Sequence, residues 1–248
     1  MSVWNTSMRL TMINVGQGDC FLLEAGEYNL LFDTGGRISF DKQANIQGEK
    51  LAQTLKSWGI DRLDGIFISH MDYDHMGNLE ELIRHLQVGK IYVSPLRNGH
   101  VPRDGLPKTA LSRLETLPKE ESLQWAGFTI HVLQQGYFDG SAANEDSAVL
   151  LLEGDFSVLF MGDAEKVERK WLTDQRVQAI DVLKLAHHGS KGGSSQVFLH
   201  WTKPQLALIS AGYENRYGHP HGQVFDRLAK EGIPITRTAL EGNRTVTL

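Results

Sequence analysis

One short run constrains this chain more than any other: Ser69-His70-Met71-Asp72-Tyr73-Asp74-His75, directly after the apolar stretch Gly65-Ile66-Phe67-Ile68. Few structural needs bring two imidazoles and two carboxylates to the exit of a buried strand. In an extended exit loop His70 and Asp72 point to the same side. A helix beginning near Asp74 turns that carboxylate and His75 toward the same point. A strand–loop–helix of this kind can hold two adjacent cations. The plain alternative is a solvated loop with an Asp helix cap.

The same unit occurs twice. Residues 19–24 and 29–35 read as a hairpin ending in Asp33, and residues 146–152 and 157–163 as a hairpin ending in Asp163. Helical spacing follows each, through Leu51, Leu55 and Trp58 in one half and Val167 and Trp171 in the other. Next come strands ending in His70 and His187, further helices, and then Ile91-Tyr92-Val93-Ser94 echoed by Ala207-Leu208-Ile209-Ser210. Two copies are too few for a solenoid. Each copy is a sheet with helices that cannot close its own core. Pairing them face to face predicts an α/β fold, a four-layer αββα sandwich with an internal pseudo-twofold repeat. The expected organisation is a single domain over 1–248, with half-units at about 8–102 and 128–248. Residues 95–127 read as a surface connection with one short helix near 110–116, because Pro102, Gly105, Pro107 and Pro118 break longer elements.

In that sandwich the polar strand ends meet along one edge. The candidate metal ligands are His70, Asp72, Asp74 and His75, with Asp163 and His187 or His188 from the second half. Asp163 is placed to bridge two ions; capping the following helix is its simpler reading. Of the adjacent His187 and His188, one serves as ligand and the other supports it or moves a proton. Asp74, His188 and His219 are the candidate catalytic groups. Glycines 189, 192 and 193 leave backbone amides open, and Ser190, Lys191, Ser194 and Ser195 offer donors to a phosphate. Asn215 and Arg216, between Tyr213 and Tyr217, form a second polar loop before His219. Asp33 and Asp19 are expected to orient the histidine loop rather than bind an ion.

Composition limits the partners. The net charge of -5 argues against a broad basic surface for nucleic acid, but not against a phosphate held by metal ions. The single cysteine, Cys20, excludes an internal disulfide and lies in an apolar run as a small core residue. No apolar run reaches the ~18–20 residues needed to span a bilayer, and the first residues lack the pattern of a signal peptide. The chain is expected to be soluble as it stands, and the early first strand fits a piece cut from something larger.

Together these residues resemble the metallo-β-lactamase superfamily, whose signature is His-x-His-x-Asp-His followed by more distant ligands. More narrowly, Val15-Gly16-Gln17-Gly18-Asp19, Asp33-Thr34-Gly35, residues 69–75, Asn144-x-Asp146-Ser147, Gly162-Asp163, His187-His188-Gly189-Ser190 and Asn215-x-x-Gly218-His219-Pro220 resemble the C-terminal domain of the ComEC family. The likeness runs over about residues 8–245. It implies the αββα fold and a metal-dependent nuclease that degrades the DNA strand not imported during natural transformation. It also implies a parent protein with a membrane channel, with this domain on the extracytoplasmic side. Two departures from the wider superfamily matter. Asp72 stands where the second histidine would, as in the ComEC branch, and the usual mid-chain histidine is absent, with Asn144 and Asp146 in its neighbourhood as supports. Fewer imidazoles shift the first site toward Mn²⁺, with Zn²⁺ or Mg²⁺ as alternatives, and one or two ions are expected per chain. The competing expectations are a small-substrate hydrolase, such as a phosphocholine esterase or lactonase, and a catalytically weak partner-binding module.

Overall fold

Along the strands, successive apolar side chains turn to opposite faces. Phe21, Leu23, Leu30 and Phe32 pack into one core while Leu22 and Leu31 pack into another. Sheets that are apolar on both faces must be covered on both. The computed structural model, which describes residues 8–37, 43–125, 127–138, 144–174, 177 and 179–247, shows how this is done.

The first sheet comprises β1 (Arg9–Met12), β2 (Phe21–Ala25), β3 (Tyr28–Phe32), β4 (Arg62–Phe67), β5 (Gln87–Val93), β6 (Leu114–Thr116) and the last strand, β14 (Arg244–Thr247). The second comprises β7 (Ser122–Trp125), β8 (Phe128–Gln134), β9 (Val149–Glu153), β10 (Ser157–Phe160), β11 (Val182–Lys184), β12 (Leu206–Ile209) and β13 (Ile235–Arg237). Their orders are β14-β1-β2-β3-β4-β5-β6 and β13-β12-β11-β10-β9-β8-β7. In each, four strands pair antiparallel, and from the last of these onward the pairing is parallel. The two sheets therefore repeat one topology.

Helices α1 (Gln43–Ser57) and α3 (Leu79–His85) cover the outer face of the first sheet through Leu51, Leu55, Leu79 and Leu82. Helices α4 (Val167–Asp174), α5 (Gln196–Thr202) and α6 (Gly222–Lys230) cover the second through Trp171, Phe198, Val224 and Leu228. Two short helices, α2 (Tyr73–Met76) and α7 (Thr238–Glu241), complete the set among the described residues. The four-layer sandwich is thus observed.

Two expectations change. The segment near 110–116 is a single 3₁₀ turn, Lys108–Ala110, followed by β6, because parallel pairing with β5 supplies backbone partners that a helix would otherwise provide. The expected half-units at 8–102 and 128–248 stop short of the sheets. Strand β6 extends the first, β7 starts the second, and β14 returns from the chain's end to pair with β1.

An aromatic stack joins the layers. Phe67 stacks on Tyr92 and on Phe32 at 4.6 and 5.0 Å, and Phe32 stacks on Phe160 of the opposite sheet at 4.1 Å. Phe160 is buried, so Phe160→Ala is expected to destabilise the fold by about 3–5 kcal/mol in urea denaturation. A loss below about 1 kcal/mol would show that the sheets do not depend on this contact.

Candidate metal centre

Strands β3, β4, β10, β11 and β12 end on one edge of the sandwich, and the residues just beyond them build the site. After β3, Asp33 adopts a left-handed conformation (φ 56°) that places its carboxylate under the histidine loop. It accepts hydrogen bonds from the Ser69 amide and hydroxyl, each at 2.7 Å, and from His75 Nδ1 at 2.8 Å. The Ser69 hydroxyl lies 3.0 Å from His70 Nδ1, so one carboxylate holds both imidazoles, the second through serine. The Thr34 amide and hydroxyl bind the His75 carbonyl at 2.6 and 3.1 Å, anchoring α2. Gly18 lets a second loop press on this turn. A Cβ there would meet the Asp74 carbonyl oxygen at 2.2 Å, whereas glycine allows the Asp19 amide to donate to it at 3.0 Å.

The second half answers from the other sheet. The Asp163 amide donates to Ser147 Oγ at 3.1 Å. His188 Nδ1 donates to the Ser210 carbonyl at 2.9 Å, with Asp19 Oδ1 at 3.3 Å behind it. His187 Nδ1 rests on Glu165 Oε1 at 2.9 Å.

With their Nδ1 atoms held, the rings aim Nε2 at Asp163. His75 Nε2 is 3.3 Å from Asp163 Oδ1, and the Nε2 atoms of His188, His187 and His70 are 3.7, 3.7 and 3.9 Å from Oδ2. Asp74 Oδ2 lies 3.3 Å from His188 Nε2, and Asp72 Oδ2 lies 3.6 Å from His70 Nε2. Nε2 of His70, His75 and His188 and Oδ1 of Asp163 are buried with no hydrogen-bond partner. Buried polar atoms without partners are costly, and these atoms gathered about the Asp163 carboxylate fit divalent cations. Ligand atoms of Asp19, His75, Asp163 and His188 all lie within 4.8 Å of one another. Asp19 faces the Nδ1 side of the rings, whereas Asp74 faces the Nε2 side. Asp74, His75, Asp163 and His188 could therefore hold an ion on the Nε2 side, with Asp19 behind the rings.

Charge balance explains Lys184, a residue that the sequence reading missed. Its ammonium group is buried against the Asp19 carboxylate, 3.8 Å from Asp163, and donates to the Gly162 carbonyl at 2.8 Å. A lysine interrupting Val182-Leu183-Lys184-Leu185 was the available signal. Burial by itself would lower the Lys184 pKa, but Asp19 and Asp163 outweigh it and raise it. Burial likewise opposes charge on His188, yet Asp163 and Asp19 hold its pKa up at about 9. Burial would raise the Asp163 pKa, and the neighbouring imidazoles of His75 and His188 hold it well below the usual carboxylate range. An ion bound among these groups would compete with their protons. Such an ion supplies a Lewis acid and activates water.

Residues 13–213 match the family model of the metallo-beta-lactamase superfamily. The chain belongs to this superfamily. ComE operon protein 3 of Bacillus subtilis (strain 168) is 34% identical over 93% of this chain and 32% of its own length. Competence protein ComA of Neisseria gonorrhoeae is 32% identical over 94% of this chain and 31% of its own length. The chain spans about a third of the length of these curated relatives. The likeness to competence proteins that the motifs suggested therefore holds. Among solved structures, the metallo-beta-lactamase fold protein YhfI from Bacillus subtilis superposes with a TM-score of 0.61 at 14% identity, covering 98% of this chain and 100% of that one. At that identity the match shows the shared fold.

Measured against the superfamily pattern, several expected residues take other places. Asp146 directs its carboxylate to Arg97 at 2.8 Å, because an arginine fork nearby offers a better partner than the imidazoles. Asn144 Nδ2 instead reaches the His187 ring at 3.3 Å. Asn215 uses its side chain within its own loop, donating to the Gly212 carbonyl at 2.9 Å and accepting from the His219 amide at 3.1 Å. It latches the loop rather than presenting donors to a substrate. The Ser190 hydroxyl is buried and bonds Glu165, and the amides of Ser194 and Ser195 are taken by the Glu168 carboxylate, so these groups are not open to phosphate. Arg216 and Lys191 remain exposed, Arg216 over the Tyr217 ring at 4.7 Å. His219 stands beside His187 with ring centres 5.0 Å apart; burial and then the neighbouring His187 and His188 lower its pKa to about 4.

Two tests follow from these electrostatics. Lys184→Met should destabilise the ion-free protein by about 3–5 kcal/mol by leaving Asp19 and Asp163 buried without their cation. Mn²⁺ should restore part of this loss, and urea midpoints unchanged by the substitution would refute the role. Glu168 is pushed up from 4.5 to about 7 by burial, despite its two amide donors and nearby Arg227. The folded state then keeps a proton that the unfolded state has lost. Relative to Glu168→Gln, wild-type stability should fall as pH rises from about 4.5 to about 7 and level off above it, by roughly 3 kcal/mol in all. Parallel melting curves for the two proteins across this window would contradict the assignment.

Proposed function

We propose that this chain is a metal-dependent phosphodiesterase, a nuclease that degrades the non-imported strand of DNA during natural transformation. The observation that carries the reading is Asp163, one buried carboxylate that lies within reach of four imidazole Nε2 atoms and has carboxylates on either side. A shared carboxylate between two ions suits phosphodiester cleavage, in which paired ions clamp the attacking and leaving oxygens. The several carboxylate donors favour Mn²⁺, with Zn²⁺ or Mg²⁺ as alternatives. The relatives named as competence proteins support a role in DNA uptake; a parent protein with a membrane channel, with this domain on its extracytoplasmic side, is the further part of the proposal that the ComEC resemblance implies. Among the described residues no helix is long and apolar enough to cross a membrane.

The roles divide by position. Asp74, His75, His188 and Asp163 would hold one ion, and His70 and Asp72 would face a second. Arg216 and Lys191 meet the substrate phosphates, and the neutral His219 hydrogen-bonds the reacting group. The net charge of -5 favours a smaller substrate, such as a phosphocholine ester or a lactone. Tethering beside a DNA channel offsets this by raising the local substrate concentration.

Cleavage of single- and double-stranded DNA should appear with Mn²⁺ and fall at least about 100-fold in Asp163→Asn. The test is a gel assay across Mn²⁺, Mg²⁺ and Zn²⁺ alongside a panel of bis-aryl phosphates, phosphocholine esters and lactones. No DNA cleavage with any ion, together with turnover of a small ester, would move the assignment to the smaller substrate.

A further inference from the structure

Without the superfamily's mid-chain histidine, the second ion keeps only His70, Asp72 and the shared Asp163. We propose that His187 supplies the missing donor, held in place by Glu165, so that the two adjacent histidines serve different ions. This rests on the metal-dependent reading above.

Three observations carry it. First, His187 Nε2 lies 3.7 Å from Asp163 Oδ2, the oxygen that also faces His70 Nε2 at 3.9 Å, with Asp72 beyond at 3.6 Å from that ring. Second, the Nδ1 of His187 is engaged like those of the other imidazoles, although its ring is partly exposed. Its Nδ1 is engaged by Glu165 at 2.9 Å, as His75 Nδ1 is by Asp33 and His188 Nδ1 by Ser210. A carboxylate on one ring nitrogen fixes the tautomer and leaves the other free for a metal.

Third, the backbone departs from its usual range to arrange the pair. His187 and His188 both take left-handed conformations, with φ of 47° and 54°. Each such residue other than glycine costs of order 1 kcal/mol, and two in succession are retained where the geometry matters. The turn sets the rings 6.0 Å apart at 67°, so that both Nε2 atoms reach one carboxylate oxygen from different directions.

The consequence is symmetry of donors. One ion has Asp74, His75, His188 and Asp163; the other has His70, Asp72, His187 and Asp163. Each set holds two imidazoles and two carboxylates. The site of His70 and Asp72, which the motif leaves one imidazole short, then draws its second from a neighbouring strand end. Asn144 Nδ2 lies 3.3 Å from both nitrogens of the His187 ring, a contact that an ion at Nε2 would displace. Glu165 is a positioning residue.

The experiment uses Mn²⁺ alone, measured by equilibrium dialysis and by the exchange-coupled paramagnetic resonance spectrum of a two-ion centre. Wild type should hold two ions and show coupling. His187→Gly suits the left-handed backbone and should hold one ion without coupling. Glu165→Gln should keep both sites while weakening one about 10–100-fold. Two coupled ions in His187→Gly, or an unchanged affinity in Glu165→Gln, would overturn the inference. One ion in both wild type and His187→Gly would overturn it while leaving the metal-dependent reading standing, and no ion in wild type would remove both.

Discussion

Asp163 lies buried where the ends of two sheets meet, and imidazoles from both halves of the chain stand within 3.9 Å of its oxygens. A carboxylate in such a place is tolerable only with opposite charge beside it. The two sheets must therefore be docked closely enough to bring His70 and His75 from one side to Asp163 and His188 from the other. The stacked rings of Phe32 and Phe160 keep them at that separation, just inside the site.

The same constraint explains the support around the imidazoles. Each uses Nδ1 for a partner within the protein, namely Asp33, Ser69, Ser210 or Glu165, and turns Nε2 to the centre. Lys184 adds a permanent positive charge between Asp19 and Asp163, which lowers the repulsion among carboxylates before any ion arrives. Preorganisation of this kind holds ligands in position at little further entropic cost when an ion binds.

At the mouth, the loops are braced from beneath. Glu168 takes the amides of Ser194 and Ser195, while Arg227 takes the carbonyls of Lys191, Gly193 and Ser194. Asn215 closes the loop before His219. Groups that read as phosphate donors in the sequence turn out to hold the walls, whereas Tyr213, Tyr217, Arg216 and Lys191 stand exposed.

Much was legible in the linear pattern. Repeated hairpins ending in Asp33 and Asp163, and strands ending in His70 and His187, announced two like sheets with a shared polar edge. Periodic apolar residues encode such elements because burial acts on each strand and helix face locally. The family of the chain followed from the same motifs. What the pattern left open depends on neighbours distant in sequence. Strand β6 needs β5 beside it, β14 needs β1, Asp146 is drawn away by Arg97, and Lys184 is buried only because Asp19 lies across from it. The ligand types and the strand ends that carry them were set by the order of residues. Which oxygen or nitrogen of each faces the centre was decided only by packing, since a side chain's partner is chosen by the charges and hydrogen-bonding groups that folding brings within about 3 Å.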